Sequence, residues 1–255
     1  MLLINCDMGE GLDNDDLLMP YIDAANIACG FHAGNTETIK TTIALAQKNN
    51  VQIGAHVSYH DKENFGRKEM QLSKEVVYDI VAEQLFLFSN IAKQMGQEVT
   101  HVKPHGALYN QAAKDFTLAT AIASAVFDHL PTSVFFGLSG SIMMQAAKNI
   151  GLTTAHEVFA DRAYLKDGSL CPRNIAGSVF TNEESVAAQV SLLMKEKKIK
   201  NNIVIYQAKN GAIELRGDFE RDNIWATQAQ IAEVFGSERS VITKHINNIL
   251  PHCHL

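Results

Sequence analysis

Short apolar runs alternate with longer amphipathic segments through the first three quarters of the chain, and this rhythm limits the fold more than any other feature. The runs are residues 2–6, 24–29, 51–56, 99–103, 133–138 and 154–159. Between them, apolar side chains recur at helical spacing. Residues 73–95 carry Val76, Val77, Ile80, Val81, Leu85, Phe88 and Ile91, with Ser73 placed to cap the start. Residues 36–48, 119–130 and 141–150 follow the same pattern. Strand and helix repeated this often predict parallel strands joined by crossover helices.

Two α/β architectures satisfy that pattern: a closed β/α barrel and an open doubly wound sheet. The polar residues favour the barrel, whose chemistry sits on loops at the C-terminal ends of its strands. Asp7 and Glu10 follow the first run, His32 the second, and His56 and Asp61 the third. Lys103 and His105 follow the fourth, and Glu157, Asp161 and Arg162 accompany the end of the sixth. A doubly wound sheet would gather its site at one switch point, usually with a glycine-rich phosphate turn. Neither G-x-G-x-x-G nor G-x-x-x-x-G-K-[ST] occurs.

The rhythm stops after the lysine-rich stretch 195–200. Residues 202–208 and 212–215 flank Lys209-Asn210-Gly211 and read as a hairpin with an Asn-Gly turn. Residues 227–234 and 240–250 are two short helical patterns around a glycine-containing turn, the spacing of a helix–turn–helix. The expected organisation is a barrel over residues 1–200 and an atypical tail over 201–255.

Composition excludes several classes of function. Lysine plus arginine total 22 against 28 aspartate plus glutamate, a net charge of −6, which argues against a nucleic-acid-coating role. The apolar stretches fall short of the ~18 residues that a membrane span requires. The first residues lack a positive leader, and the 4 cysteines are far apart, so a cytoplasmic chain without disulfides is expected.

Three histidines stand in glycine-containing turns: Cys29-Gly30-Phe31-His32-Ala33-Gly34, Gly54-Ala55-His56 and Lys103-Pro104-His105-Gly106. One such histidine would pass as structural, but three predict convergence on a pocket. Asp7, Glu10, Glu157 and Asp161 fall on the same expected side, although a carboxylate near a helix start can be a simple cap. Asp7, His32 and His56 would make a divalent-metal site, though without the His-x-x-x-His spacing common in zinc enzymes. Lys103, Arg67, Arg162 and Arg173 are candidate anion binders. Nucleophilic catalysis has little support. Cys6 and Cys29 lie within apolar runs, and no Gly-x-Ser-x-Gly elbow occurs.

Six ordered blocks resemble the signatures of the LamB/YcsF family. They are Asn5-Cys6-Asp7-Met8-Gly9-Glu10, Ala25-Asn26-Ile27-Ala28-Cys29-Gly30-Phe31-His32-Ala33-Gly34 and Gly54-Ala55-His56-Val57-Ser58-Tyr59, followed by Asn64-Phe65-Gly66-Arg67, Val102-Lys103-Pro104-His105-Gly106-Ala107-Leu108-Tyr109-Asn110 and Glu157-Val158-Phe159-Ala160-Asp161-Arg162. The resemblance covers residues 1 to about 194. It implies a seven-stranded β/α barrel similar to the glycoside hydrolase/deacetylase group. The implied activity is ATP-dependent opening of 5-oxo-L-proline to L-glutamate, as the A subunit working with subunits B and C.

That chemistry assigns roles to the candidates. A five-membered lactam is an unstrained amide, so phosphorylating its oxygen explains the need for ATP. The site then needs a cation for the substrate carboxylate, an acid–base group for water and donors for developing negative charge. Arg67 or Arg162 is expected to serve the first, Asp7, His56 and His105 the second, and Lys103 with His32 the third. Glu157 joins the catalytic set, and Glu10 and Asp161 the substrate-binding set.

The sequence also departs from the family pattern. Asn35 replaces the usual aspartate and Val57 the usual proline. The family's closing Cys-x-His-Gly-Asp block is missing after residue 195. The tail instead resembles the N-terminal part of RhuM-type virulence proteins, which implies a short sheet and a DNA-binding helix–turn–helix. A junction of two coding sequences near residues 195–202 would leave the barrel without a wall strand unless residues 202–208 supply it. Three other readings follow: a DNA-binding fusion, an inert fusion, and a metal-dependent deacetylase-like hydrolase. Arg239, Lys244 and His245 are few contacts for tight DNA binding.

Overall fold

The computed structural model describes residues 3–165, 167–196, 203–208, 211–216 and 222–225. Its elements run in the expected alternation. The order is β1 (Leu3–Met8), α1 (Asp15–Leu18), β2 (Ala24–Ala28), α2 (Thr36–Asn49), β3 (Gln52–Val57), α3 (Lys74–Gln94) and β4 (Val99–Pro104). Then come α4 (Gly106–Ala112), α5 (Phe116–His129), β5 (Val134–Leu138), α6 (Ile142–Ile150), β6 (Thr153–Phe159) and α7 (Glu183–Glu196).

Caps fix where the main helices begin. Asn35 Oδ1 accepts from the Glu37 and Thr38 amides at 2.9 and 3.0 Å, so the asparagine in place of aspartate works as the N-cap of α2. Ser73 caps α3 as expected. Asp115 caps α5 and starts that helix at Phe116, ahead of the apolar periodicity.

β1 to β6 form one curled sheet in chain order, every neighbouring pair parallel. The apolar core lies between this sheet and its helices. Cys6, Met8 and Ile27 meet Ile39 and Ile43 of α2, while Val81, Leu85 and Phe88 of α3 belong to the same buried cluster. Residues of opposite parity point to the barrel interior, which is polar. Asn5 and Asp7 of β1, Asn26 of β2, His56 of β3, His101 and Lys103 of β4 and Glu157 of β6 are all buried.

The tail differs from the expected arrangement. β7 (Ile203–Ala208) and β8 (Gly211–Arg216) pair antiparallel as the anticipated hairpin. They form a separate two-stranded sheet, so residues 202–208 do not supply the wall strand. A further strand, β9 (Asp222–Trp225), lies in parallel between β6 and β1, with Ile224 opposite both Val158 and Ile4. It falls inside the stretch assigned to the tail. The two anticipated helices over 227–234 and 240–250 lie outside the described residues.

Candidate active site

The interior is layered along the barrel axis by alternate residues of neighbouring strands. In the lowest layer, Asn26 Nδ2 donates to Asn5 Oδ1 at 2.6 Å and to Asp7 Oδ1 at 2.8 Å. A carboxylate only accepts, so the Asn26 nitrogen must face Asp7 and its Oδ1 must face His101. His101 Nε2 therefore donates to Asn26 Oδ1, 2.9 Å away. Burial pulls the His101 imidazole down to about 3, which keeps it neutral. Gly54 makes room for that ring: a Cβ there would sit 2.2 Å from it.

The next layer is an ionic cluster. Lys103 Nζ donates to Asp7 Oδ1 at 2.9 Å and lies 3.7 Å from Glu157 Oε2. All three groups are buried, but their environments differ. Burial would raise Asp7, yet the charges of His56 and Lys103 hold it well below the ordinary carboxylate range. Burial pushes Glu157 up to about 7, against the pull of Lys103. Lys103 is raised, because Asp7 and Glu157 outweigh the effect of its burial. Two carboxylates on one lysine are thus driven apart, as in sites that need both an acid and a base.

Above this layer, strand-end turns bring three imidazoles and a carboxylate together. The ligand atoms of Glu10, His32, His56 and His105 all lie within 4.8 Å of one another. Glu10 Oε1 is 3.2 Å from His32 Nε2, 3.6 Å from His105 Nδ1 and 4.0 Å from His56 Nε2. His56 Nε2 and His105 Nδ1 are 2.9 Å apart, and Asp7 Oδ2 is 3.3 Å from His56 Nε2. The His32 and His105 rings stack at 3.9 Å. Burial lowers His32, and burial with the neighbouring imidazoles lowers His105 well below its ordinary value. Gly66 (φ +64°) lets the backbone pass under these rings, since a Cβ there would come 2.9 Å from His32 Cβ.

A cavity of about 360 Å³ opens over the two upper layers. Asp7, Glu10, His56, Lys103 and His105 form its floor, and Arg67, Arg162 and Arg173 lie around it. Burial and the other two arginines pull Arg173 down to about 10. Arg162 also has a structural job: its Nη2 donates to the Cys171 carbonyl at 2.6 Å, holding the loop that bears Arg173.

The family's sequence profile, described as the LamB/YcsF family, matches residues 2–219. The chain belongs to the LamB/YcsF family. Its profile continues through 195–219, past the point near 194 where the sequence reading ended the resemblance. A lactam utilization protein from Thermus thermophilus has a similar structure at 31% identity, covering 98% of this chain and 96% of that one, with a TM-score of 0.80. An orotidine 5'-monophosphate decarboxylase from Methanocaldococcus jannaschii matches at 12% identity over 99% and 100% of the two chains, with a TM-score of 0.39. That second likeness is too loose to inform fold or chemistry.

In this LamB/YcsF chain the residues singled out from sequence divide by depth. Asp7, Glu10, His56, Lys103, His105, Arg67 and Arg162 line the cavity. His32 belongs to the imidazole cluster, stacked on His105, without lining the cavity, and Glu157 lies behind Lys103. Asp161 is buried outside the lining set, and burial raises its carboxyl to about 6. Cys6 and Cys29 are buried thiols, as read. Sequence reasoning missed Asn26 and His101 as supports of Asp7, and Tyr109, which lines the cavity. The usable signal for Asn26 was a lone amide inside the apolar strand Ala24–Ala28.

Proposed function

We propose that this protein is the A subunit of an ATP-dependent 5-oxoprolinase, hydrolysing 5-oxo-L-proline to L-glutamate in the cytoplasm with B and C subunits. One observation carries the reading: the buried Asp7–Lys103–Glu157 cluster on the floor of an arginine-rimmed cavity. The family membership and the likeness to a lactam utilization protein support the same chemistry. In this reading β9 completes a seven-stranded barrel of the glycoside hydrolase/deacetylase kind.

The residues then divide the work. Arg67, Arg162 and Arg173 hold the substrate carboxylate, the natural partner of guanidinium groups. Asp7, kept ionised by Lys103 and His56, accepts a proton from the attacking water. Lys103 stabilises negative charge developing on the former carbonyl oxygen or on its phosphoryl ester. Glu157, protonated near neutrality, returns a proton to the departing ring nitrogen through the cluster. ATP, consumed by the assembled enzyme, supplies the activation that an unstrained amide needs. A cavity of this volume is at the small end of ligand sites, which suits an amino-acid-sized substrate.

The test is ATP-dependent glutamate release from 5-oxoproline by the chain mixed with its B and C subunits. Activity is expected to require all three, and Asp7→Asn is expected to abolish it with the circular-dichroism spectrum unchanged. Reconstituted subunits that release no glutamate would overturn the assignment.

A further inference from the structure

We propose that Glu10, His32, His56 and His105 bind one divalent transition-metal ion, of the zinc or cobalt(II) class. The argument rests on which ring nitrogens carry protons. His56 Nδ1 lies 3.0 Å from the Lys103 carbonyl, and His105 Nε2 lies 3.0 Å from the Phe65 carbonyl. A carbonyl only accepts, so both nitrogens carry hydrogen. With one proton per ring, each is left with a lone pair on its other nitrogen, and those are the two nitrogens that face each other at 2.9 Å. His32 follows the same pattern. Ser58 Oγ gives its one proton to the Tyr59 carbonyl at 2.8 Å and accepts from His32 Nδ1 at 2.9 Å. The His32 Nε2 lone pair then points at Glu10 Oε1, 3.2 Å away.

Three lone pairs and a carboxylate thus converge on one point, with Asp7 Oδ2 beside them at 3.3 Å from His56 Nε2. Without a cation this is mutual repulsion. One proton between His56 and His105 would relieve their pair and leave His32 against Glu10. A single ion relieves every contact at once. The spacing fits: bonds of about 2.0–2.1 Å in a tetrahedron separate ligand atoms by roughly 3.3 Å. The separations of 2.9, 3.2, 3.6 and 4.0 Å bracket that value, and the remaining ones stay within 4.8 Å. Each imidazole is also held on its far nitrogen by a hydrogen-bond acceptor, the arrangement that orients metal-binding histidines. Imidazole with carboxylate selects borderline divalent ions over calcium or magnesium. The set differs from the Asp7, His32 and His56 trio expected from sequence, because Lys103 and Asn26 hold Asp7 to one side.

The test uses the full chain alone, stripped with chelator and titrated with cobalt chloride. One equivalent is expected to bind with ligand-field absorption in the visible range and to raise the melting temperature. Glu10→Gln and His105→Gln are expected to weaken cobalt binding by more than ~100-fold, and Ser58→Ala by ~10–100-fold through loss of the outer hydrogen bond. A stripped chain that takes up no stoichiometric cobalt overturns the proposal, and so does uptake unchanged in both ligand variants. The measurement needs neither lactam nor sister subunits. A chain that binds cobalt but opens no lactam keeps this site and loses the 5-oxoprolinase reading, and the converse result does the opposite.

Discussion

Asp7 and Glu157 share one lysine, yet only Glu157 titrates near neutral pH: at Asp7 the charges of His56 and Lys103 outweigh burial, whereas at Glu157 burial wins over Lys103, the Tyr109 hydrogen bond and His56. The consequence is directional. Glu157 raised to about 7 is a proton donor below that pH and loses the role as pH rises through it. Glu157→Gln is therefore expected to lower kcat by ~10²–10⁴ and to remove the fall in activity on the alkaline side. A pH–rate profile that keeps this limb in the variant would move the donor role to another residue. The upper two layers were legible in sequence because Asp7, His56, Lys103 and His105 each close a strand beside a glycine or proline. The lowest layer was not. Asn26 and His101 act as a pair across 75 residues of chain, and neither carries a local mark of its partner.

Among elements, β3 is the one whose sequence the interior constrains most tightly. Gly54 leaves no space for a Cβ against the His101 ring, which also stacks on Phe136 at 4.4 Å. Gly54→Ala is expected to cost about 1–3 kcal/mol in urea unfolding, the range for overpacked cores. The same change should cost much less in a His101→Ala background, since the two residues contact each other. Equal costs in both backgrounds would place the strain elsewhere. At the other end of the helix–strand unit, Asn35→Ala should lose about 1 kcal/mol through the missing cap of α2. Strands β1 to β6 and helices α2, α3, α5 and α6 were readable from periodicity, because burial on one face repeats with the element, whereas α7 (Glu183–Glu196) was not read. α4 was not, since seven residues starting at Gly106 offer too few turns for a pattern. β9 was hidden for another reason: four residues, Asp222–Trp225, carry no alternation, and only their register with β1 and β6 reveals their place.

At the scale of the whole molecule, buried neutral histidines tie stability to pH. His32, His101 and His105 are all lowered by burial, so between their folded values and about 6.5 the unfolded chain binds more protons than the folded one. These histidines lower stability as pH drops below ~6.5, by up to ~1.4 kcal/mol per pH unit for each, while Glu157 and Asp161, raised to about 7 and about 6, act in the opposite direction in the same window. With those two carboxyls removed in a Glu157→Gln, Asp161→Asn double variant, denaturant midpoints measured from pH 7 to 5 should decline, and a flat series in that variant would mean that these rings are protonated in the folded protein. Whether the polar interior is shielded at all depends on the ring of strands being closed, and here the sequence supplies its own probe. The chain has 1 tryptophan, Trp225, and the backbone sets it in β9 opposite Asn5 of β1 and Phe159 of β6. If β9 is a wall of the barrel, it separates from its neighbours only when the barrel unfolds. Tryptophan fluorescence and far-ultraviolet circular dichroism should then report one transition with the same midpoint and slope in urea. A fluorescence transition at lower urea, with the dichroism still native, would show β9 peeling away alone. β1 and β6 would then be exposed edges, and the chain should begin to aggregate in that interval, because unpaired strand edges recruit other chains. Coincident curves tie the residues after the hairpin to the folding of the site itself.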